Sequence, residues 1–253
     1  MLRKSLQLLL AALLCAVIVA GIYCARQWLA VERLTGKRQI LGNWHYHFAS
    51  GKIGGLNYGH PQDGLRGRWQ RMIASPRFVT LSPGTVLDAT LVRDLGVLGV
   101  EELRCNSCRG FTREAVAQLS KVPSLRSITL QNCDLTDDAL DALWPALPNL
   151  ESADLQSMAL EDDGFLSVKV AQKLKHLSLV HLATTTRGLR MIHELPNLAE
   201  IDLVELPGMT GPNASILATM PHLRTVNLTR DLVGLTIAGG LASLKPSLVV
   251  KMW

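Results

Sequence analysis

Apolar residues return to set offsets seven times along this chain, in frames that start at Val100, Leu125, Leu150, Leu174, Leu198, Leu223 and Leu248. The steps between starts are 25, 25, 24, 24, 25 and 25 residues. A period held this tightly, within about 20–29 residues, is the mark of a stacked repeat array. One such unit cannot bury its own leucines, but a stack of neighbours can. The predicted fold class is therefore an α/β solenoid, with parallel strands on one face and helices on the other.

The clearest frame is Leu125-x-x-Ile128-x-Leu130-x-x-Cys133-x-Leu135. Leu150, Ala153, Leu155, Met158 and Leu160 repeat its offsets, as do Leu174, Leu177, Leu179 and Leu182. Leu198, Ile201, Leu203 and Leu206 follow, then Leu223, Val226 and Leu228. Val100, Leu103, Cys105 and Cys108 form an earlier member. An imperfect first member begins near Pro76 with Val79 and Leu81, and Leu248-Val249-Val250 opens a last strand. Each frame predicts a short strand, a turn and a helix. In the best frame the helix runs near Asp137 to Trp144 with Thr136 as its N-cap, and Asp137 and Asp138 favour the positive end of the helix dipole. Leu140, Leu143 and Leu147 are expected to face inward, as are Leu189, Ile192 and Leu195. Pro123, Pro148, Pro196, Pro221 and Pro246 each stand two residues before a frame start, where proline ends the helix and turns the chain toward extended geometry.

These frames match the pattern L-x-x-L-x-L-x-x-N/C-x-L, and over residues 76–253 the chain resembles leucine-rich-repeat proteins of the cysteine-containing, ribonuclease-inhibitor-like type. The layout of residues 1–75 is similar to bacterial membrane-anchored members. The resemblance implies a horseshoe with concave strands and convex helices, a protein-binding role and no catalysis. The chain departs from the pattern at Leu206-Pro207-Gly208 and at Asp231, and its segment between Asp163 and Lys173 is a leucine-poor helix. Looser stacking is expected at those points.

Ser5 to Ala25 holds no charged residue. As a helix these residues would cover about 31 Å, enough for one transmembrane pass. A cleaved signal peptide is the alternative, since Val19-Ala20-Gly21 offers small residues. Residues 1–99 carry 12 Lys/Arg against 4 Asp/Glu, whereas residues 100–253 carry 14 against 17. The basic excess thus sits beside the span, where anionic headgroups would meet it. A nucleic-acid reader would carry its basic stripe on the folded module, so no nucleic-acid partner is expected. The sequence divides into a charged N-terminus at 1–4, the span at 5–25, a juxtamembrane helix and hairpin cap at 26–75, and the repeats at 76–253. Trp28, Leu29, Val31 and Leu34 predict the helix, and Asn43 to Phe48 a strand. The N-terminal anchor predicts a single-pass membrane location, with the side of the membrane left open.

Tempting chemistry is scarce. His45 and His47 form a His-x-His pair with His60 as a candidate third, but no Cys, Asp or Glu lies within ten residues of the pair to complete the three or four ligands of a zinc shell. Cys105 and Cys108 read as C-x-x-C, but Cys105 falls on an inward leucine position and Cys108 and Cys133 share the N/C position 25 residues apart. They are expected to be buried structural thiols. Cys108 and Cys133 could also approach disulfide geometry. His176, His181, His193 and His222 are expected on solvated surface. The sequons at Asn213 and Asn227 are taken as chance. With no phosphate loop, nucleophile elbow or two-histidine zinc helix, no enzyme, cofactor, metal or small-molecule substrate is predicted.

The binding surface is expected on the strand face. In register it comprises Glu102, Arg104 and Asn106; Ser127, Thr129 and Gln131; Ser152, Asp154 and Gln156; His176, Ser178 and Val180; Glu200, Asp202 and Val204; and Thr225, Asn227 and Thr229. This strip is polar and poor in the aromatic and arginine anchors that dominate many interfaces. Three functional readings follow: a membrane-anchored scaffold that binds a protein partner, a structural envelope protein that self-associates through its terminal strand, and a processed soluble enzyme inhibitor or regulator.

Overall fold

The computed structural model describes residues 77–253 continuously, the strand Ile53–Asn57, and helical residues 15, 17–27, 29, 30 and 33. Nine strands form one sheet in chain order. They are β1 (Ile53–Asn57), β2 (Phe78–Leu81), β3 (Glu102–Asn106), β4 (Ser127–Gln131), β5 (Ser152–Gln156), β6 (His176–Val180), β7 (Glu200–Val204), β8 (Thr225–Leu228) and β9 (Val249–Met252). β1 pairs antiparallel with β2, and the eight strands from β2 to β9 are parallel. Six helices return the chain between them: α1 (Ala89–Leu98), α2 (Arg113–Ala117), α3 (Asp137–Ala146), α4 (Thr186–Ile192), α5 (Asn213–Thr219) and α6 (Leu232–Leu244).

Parallel strands with helical crossovers give alternate strand residues to one buried layer. Ile128 and Leu130, Ala153 and Leu155, Leu177 and Leu179, Ile201 and Leu203 are all within a few per cent of complete burial. Leu91, Leu95, Leu140, Leu143, Leu189, Ile192 and Leu217 meet them from the helices. Each fully buried leucine is worth about 1.5–3 kcal/mol of transfer free energy, so this repeated layer dominates the fold's stability. Thr112, Thr136 and Thr185 cap α2, α3 and α4 through their hydroxyls, and Asp88 and Asp231 cap α1 and α6 through their carboxylates. Carboxylates also stitch one unit to the next. Asp134 accepts the Gly110 and Phe111 amides at 2.9 and 3.0 Å, and Asp162 accepts the Thr185 amide at 2.8 Å.

Five strands end on a non-glycine residue in the left-handed region: Ser107, Asn132, Ser157, His181 and Glu205, all with φ between 51 and 54°. That conformation costs on the order of 1 kcal/mol each. Ladder hydrogen bonds offset it, since the Ser107, Asn132, Ser157 and His181 amides donate to Gln131, Gln156, Val180 and Val204 at 2.8–3.1 Å.

One expectation needs correction. The segment between Asp163 and Lys173 is not an α-helix but two 3-10 turns, Asp162–Phe165 and Val168–Val170. Trp144 explains this. It is wholly buried, donates its indole N–H to the Gly164 carbonyl at 2.8 Å and stacks on Phe165 at 6.2 Å, occupying the room a helix would need. A Cβ on Gly164 would also come within 2.7 Å of Leu140. Of the residues that predict the juxtamembrane helix, Leu29 is helical, and Trp28, Val31 and Leu34 lie outside the described residues. Leu29 is exposed, while Ala30 and Gln27 are buried. Arg33 pairs bidentately with the buried Asp94 of α1, at 2.9 and 2.6 Å, and this ties the helix to the first unit.

Among the described residues no helix is long and apolar enough to cross a membrane. Residues 5–14 and 16 of the expected span, the expected strand Asn43–Phe48 and the histidines at 45, 47 and 60 lie outside the described residues. Of the described part of the span, Val17, Ile18, Val19 and Ile22 are helical and more than half exposed.

Candidate functional site: the open strand face

The side of the sheet away from the helices carries three columns of side chains, because parallel register puts equivalent residues side by side. The first column runs Phe78, Glu102, Ser127, Ser152, His176, Glu200, Thr225 and Val249. The central one runs Thr80, Arg104, Thr129, Asp154, Ser178, Asp202, Asn227 and Lys251. The third runs Asn106, Gln131, Gln156, Val180 and Val204. All fourteen principal residues named from the sequence (Glu102, Arg104, Ser127, Thr129, Gln131, Ser152, Asp154, Gln156, His176, Ser178, Glu200, Asp202, Thr225 and Asn227) lie in these columns. Twelve are at least partly open to solvent. Ser178 and Asn227 are about 95% buried by their neighbours.

The two ends of the face differ. At the β2–β3 end Arg104 pairs with Glu102 at 2.8 Å, and its guanidinium lies 4.7 Å from the centre of the Phe78 ring. Phe78 supplies an aromatic that sequence reasoning left out, because the first frame is imperfect and only its inward Val79 and Leu81 were legible. Toward β7 the face turns acidic. His176 links Ser152 at 3.1 Å through Nδ1 to Asp202 at 3.1 Å through Nε2. The Asn227 amide donates to Asp202 and, at 3.2 Å, to Glu200. Gln156 donates to both oxygens of Asp154 at 2.9 Å.

His176 is therefore not a solvated surface histidine but a half-buried link in a polar chain. The hydrogen bond to Asp202 raises its pKa, burial opposes that, and the charges of Asp202, Glu200 and Asp154 reinforce it. Burial pushes the Asp202 carboxyl up, but hydrogen bonds from His176 and Asn227 outweigh this and leave it below the usual carboxylate range. A second column of the same chemistry runs alongside. Ser157 meets His181 Nδ1 at 3.3 Å, and His181 Nε2 meets Glu205. Laying residues 24–26 apart into columns would have revealed both chains.

Serine, histidine and carboxylate in a row suggest nucleophilic catalysis. The strand amides around Ser152 are committed to the β4–β5 and β5–β6 ladders, so they supply no donor pair for a developing oxyanion. The described residues contain no cluster of three or more His, Cys, Asp or Glu able to hold a metal ion.

The cysteines sit beneath the face. Cys105, Cys108 and Cys133 are buried free thiols. The Cys108 thiol donates to the Ser82 and Asn106 carbonyls at 3.6 Å, and that of Cys133 to Gln131 at 3.4 Å and Cys105 at 3.7 Å. Contact with Cys105, together with burial, pushes Cys108 up to about 12, and contact with Cys108 raises Cys133 as well. Cys108 and Cys133 thus serve as donors to backbone carbonyls in the core. Both sequon asparagines are buried, Asn213 completely, so neither offers a folded-state glycosylation site. No protein-family model matches the chain.

Proposed function

We propose that this chain is a non-catalytic leucine-rich-repeat scaffold whose open strand face, the concave side of a horseshoe, binds a protein partner. The observation that carries this is the continuous register of hydroxyl, amide, imidazole and carboxylate groups across β3–β8, free of covering elements among the described residues. Strand faces of stacked repeats offer extended surfaces of this kind. The basic segment and the apolar helix with exposed Val17, Val19 and Ile22 support a further part of the proposal, that an N-terminal span holds the scaffold at a membrane. A photo-cross-linking residue placed at Thr129 or Asp154 should trap a discrete protein adduct in cells. The same residue at Glu114 on the helix side should not. Equal trapping from both sides, or none from the face, sinks the reading.

A self-associating structural role is the second reading. It rests on the outer edge of β9 and on exposed Leu232, Leu235 and Val249 beside it. Sedimentation of the full chain in detergent tests it: a monomer at high concentration removes it.

A further inference from the structure

The connections between strand and helix are uneven. Eight residues, 205–212, join β7 to α5, whereas three, 229–231, join β8 to α6. A long loop beside a short one cannot stack flush, and a cavity of about 290 Å³ opens between the two units. This is where the sequence departs from its repeat, at Leu206-Pro207-Gly208 and Asp231. Leu203, Leu206, Leu228 and Ile237 form a buried apolar floor, and the exposed Glu205 and Asp231 stand on the rim. Small-molecule sites occupy about 300–1,000 Å³, so this cavity suits one side chain better than a cofactor.

Glu200 and Asp202 lie on β7, the strand that leads into Glu205 at the rim. Glu200, Asp202, Glu205 and Asp231 have no Lys or Arg within ion-pair distance among the described residues. Three carboxylates nearer the start of the array are served otherwise: Arg77 pairs with Glu101, Arg104 with Glu102, and Arg126 and Lys175 with Glu151. Asn227 donates its amide N–H to Glu200 and Asp202, and its own oxygen is buried without a donor among the described residues. An apolar floor beside four carboxylates without a Lys or Arg partner, two of which pair instead with the imidazoles of His176 and His181, describes one complement.

The geometry points to a docking site for a basic protein segment, with an aliphatic side chain in the β7–β8 cavity and an adjacent arginine or lysine on the Glu200–Asp202–Glu205 row. This rests on the scaffold reading and names the partner's chemistry. Guanidinium suits the site best, since its planar fork carries donors enough to engage two carboxylates.

The test is an NMR titration of the full chain in detergent micelles with N-acetyl-leucyl-arginine amide and N-acetyl-arginyl-leucine amide. Their citrulline counterparts serve as neutral controls. At least one arginine peptide should shift the amides of Glu205, Leu206 and Gly234. Citrulline should bind about tenfold more weakly, the loss expected when a charge-assisted contact becomes neutral. Glu205→Gln should weaken the arginine peptide while leaving the thermal transition near that of the parent, and Asp202→Asn should weaken it as well. Equal binding of citrulline, shifts elsewhere on the chain, or no shift into the millimolar range overturns the proposal. So do shifts of the same amides with calcium but not peptide, which assign the patch to a cation. Concentration-dependent shifts without any peptide assign it to a second copy and also overturn it. If the peptides fail while Thr129 still traps a protein, the docking chemistry falls and the scaffold reading stands. If both fail, both fall.

Discussion

Single residues with partners one period away carry the chemistry of this molecule. His176 and Asp202 are the clearest case. The folded imidazole has a raised pKa, so its contribution to stability is fully present below the unfolded histidine value of about 6.5 and is lost as pH rises through the higher folded value. The folded Asp202 carboxyl has a lowered pKa, so its contribution is present above the unfolded value of about 3.9 and is lost as pH falls through the folded one. The pair should therefore stabilise most between about pH 4 and 6.5, within those reference limits. Thermal melts should show a decline on the alkaline side that disappears in His176→Asn, and the His176 ring should titrate above an ordinary histidine by NMR. Arg33 tells a different story. Removing it leaves the buried Asp94 carboxylate with only the longer contact to Arg93 at 3.7 Å, so Arg33→Ala should cost roughly 1–3 kcal/mol in urea unfolding, and the added change Asp94→Asn should recover part of that. An unchanged midpoint in Arg33→Ala would mean that the N-terminal helix is not held by this pair.

Elements differ in how plainly the sequence announced them. Strands β3–β8 fall on the predicted frames because inward leucines repeat at fixed offsets and parallel register follows from stacking. Thr136 caps α3 as its position before two aspartates foretold. The 3-10 turns after β5 were not legible, since they depend on Trp144 reaching across twenty residues to the Gly164 carbonyl. The polar columns were legible as positions but not as hydrogen-bonded chains, because Ser152, His176 and Asp202 are strangers in sequence and become neighbours only through register. The β7–β8 cavity lay between two departures that the sequence did mark, and its cause, one long and one short connection, needed both loops at once. Gly234 governs that corner. A Cβ there would sit 2.0 Å from the Thr229 carbonyl oxygen, so Gly234→Ala should push the first turn of α6 outward, cost roughly 1–3 kcal/mol and alter the cavity. Differential scanning calorimetry checks the stability loss. A stability equal to the parent would mean that the first turn of α6 yields without strain.

At the scale of the whole molecule, the order of the sheet is the order of the chain, and each strand bonds only to its sequence neighbours. Stability in such an array is close to a sum of unit and interface contributions, so the ends open before the middle. Amide hydrogen exchange should proceed faster in β9 than in β4–β6, and uniform protection across all eight parallel strands would contradict this. The face also has a direction, with Arg104 and Phe78 at one end and the β7 carboxylates at the other. An extended partner with a basic and an acidic end would align with it in one sense only.

Neighbour-only bonding also makes the protein a mechanical ladder. Tension applied at the C-terminus would load the β8–β9 bonds first and pass to the next rung only after they part. Each released repeat of roughly 24 residues would pay out about 80 Å of slack chain at full extension. A tether between a surface and a moving load would then yield in discrete increments, absorbing a pull that would break a globular domain all at once.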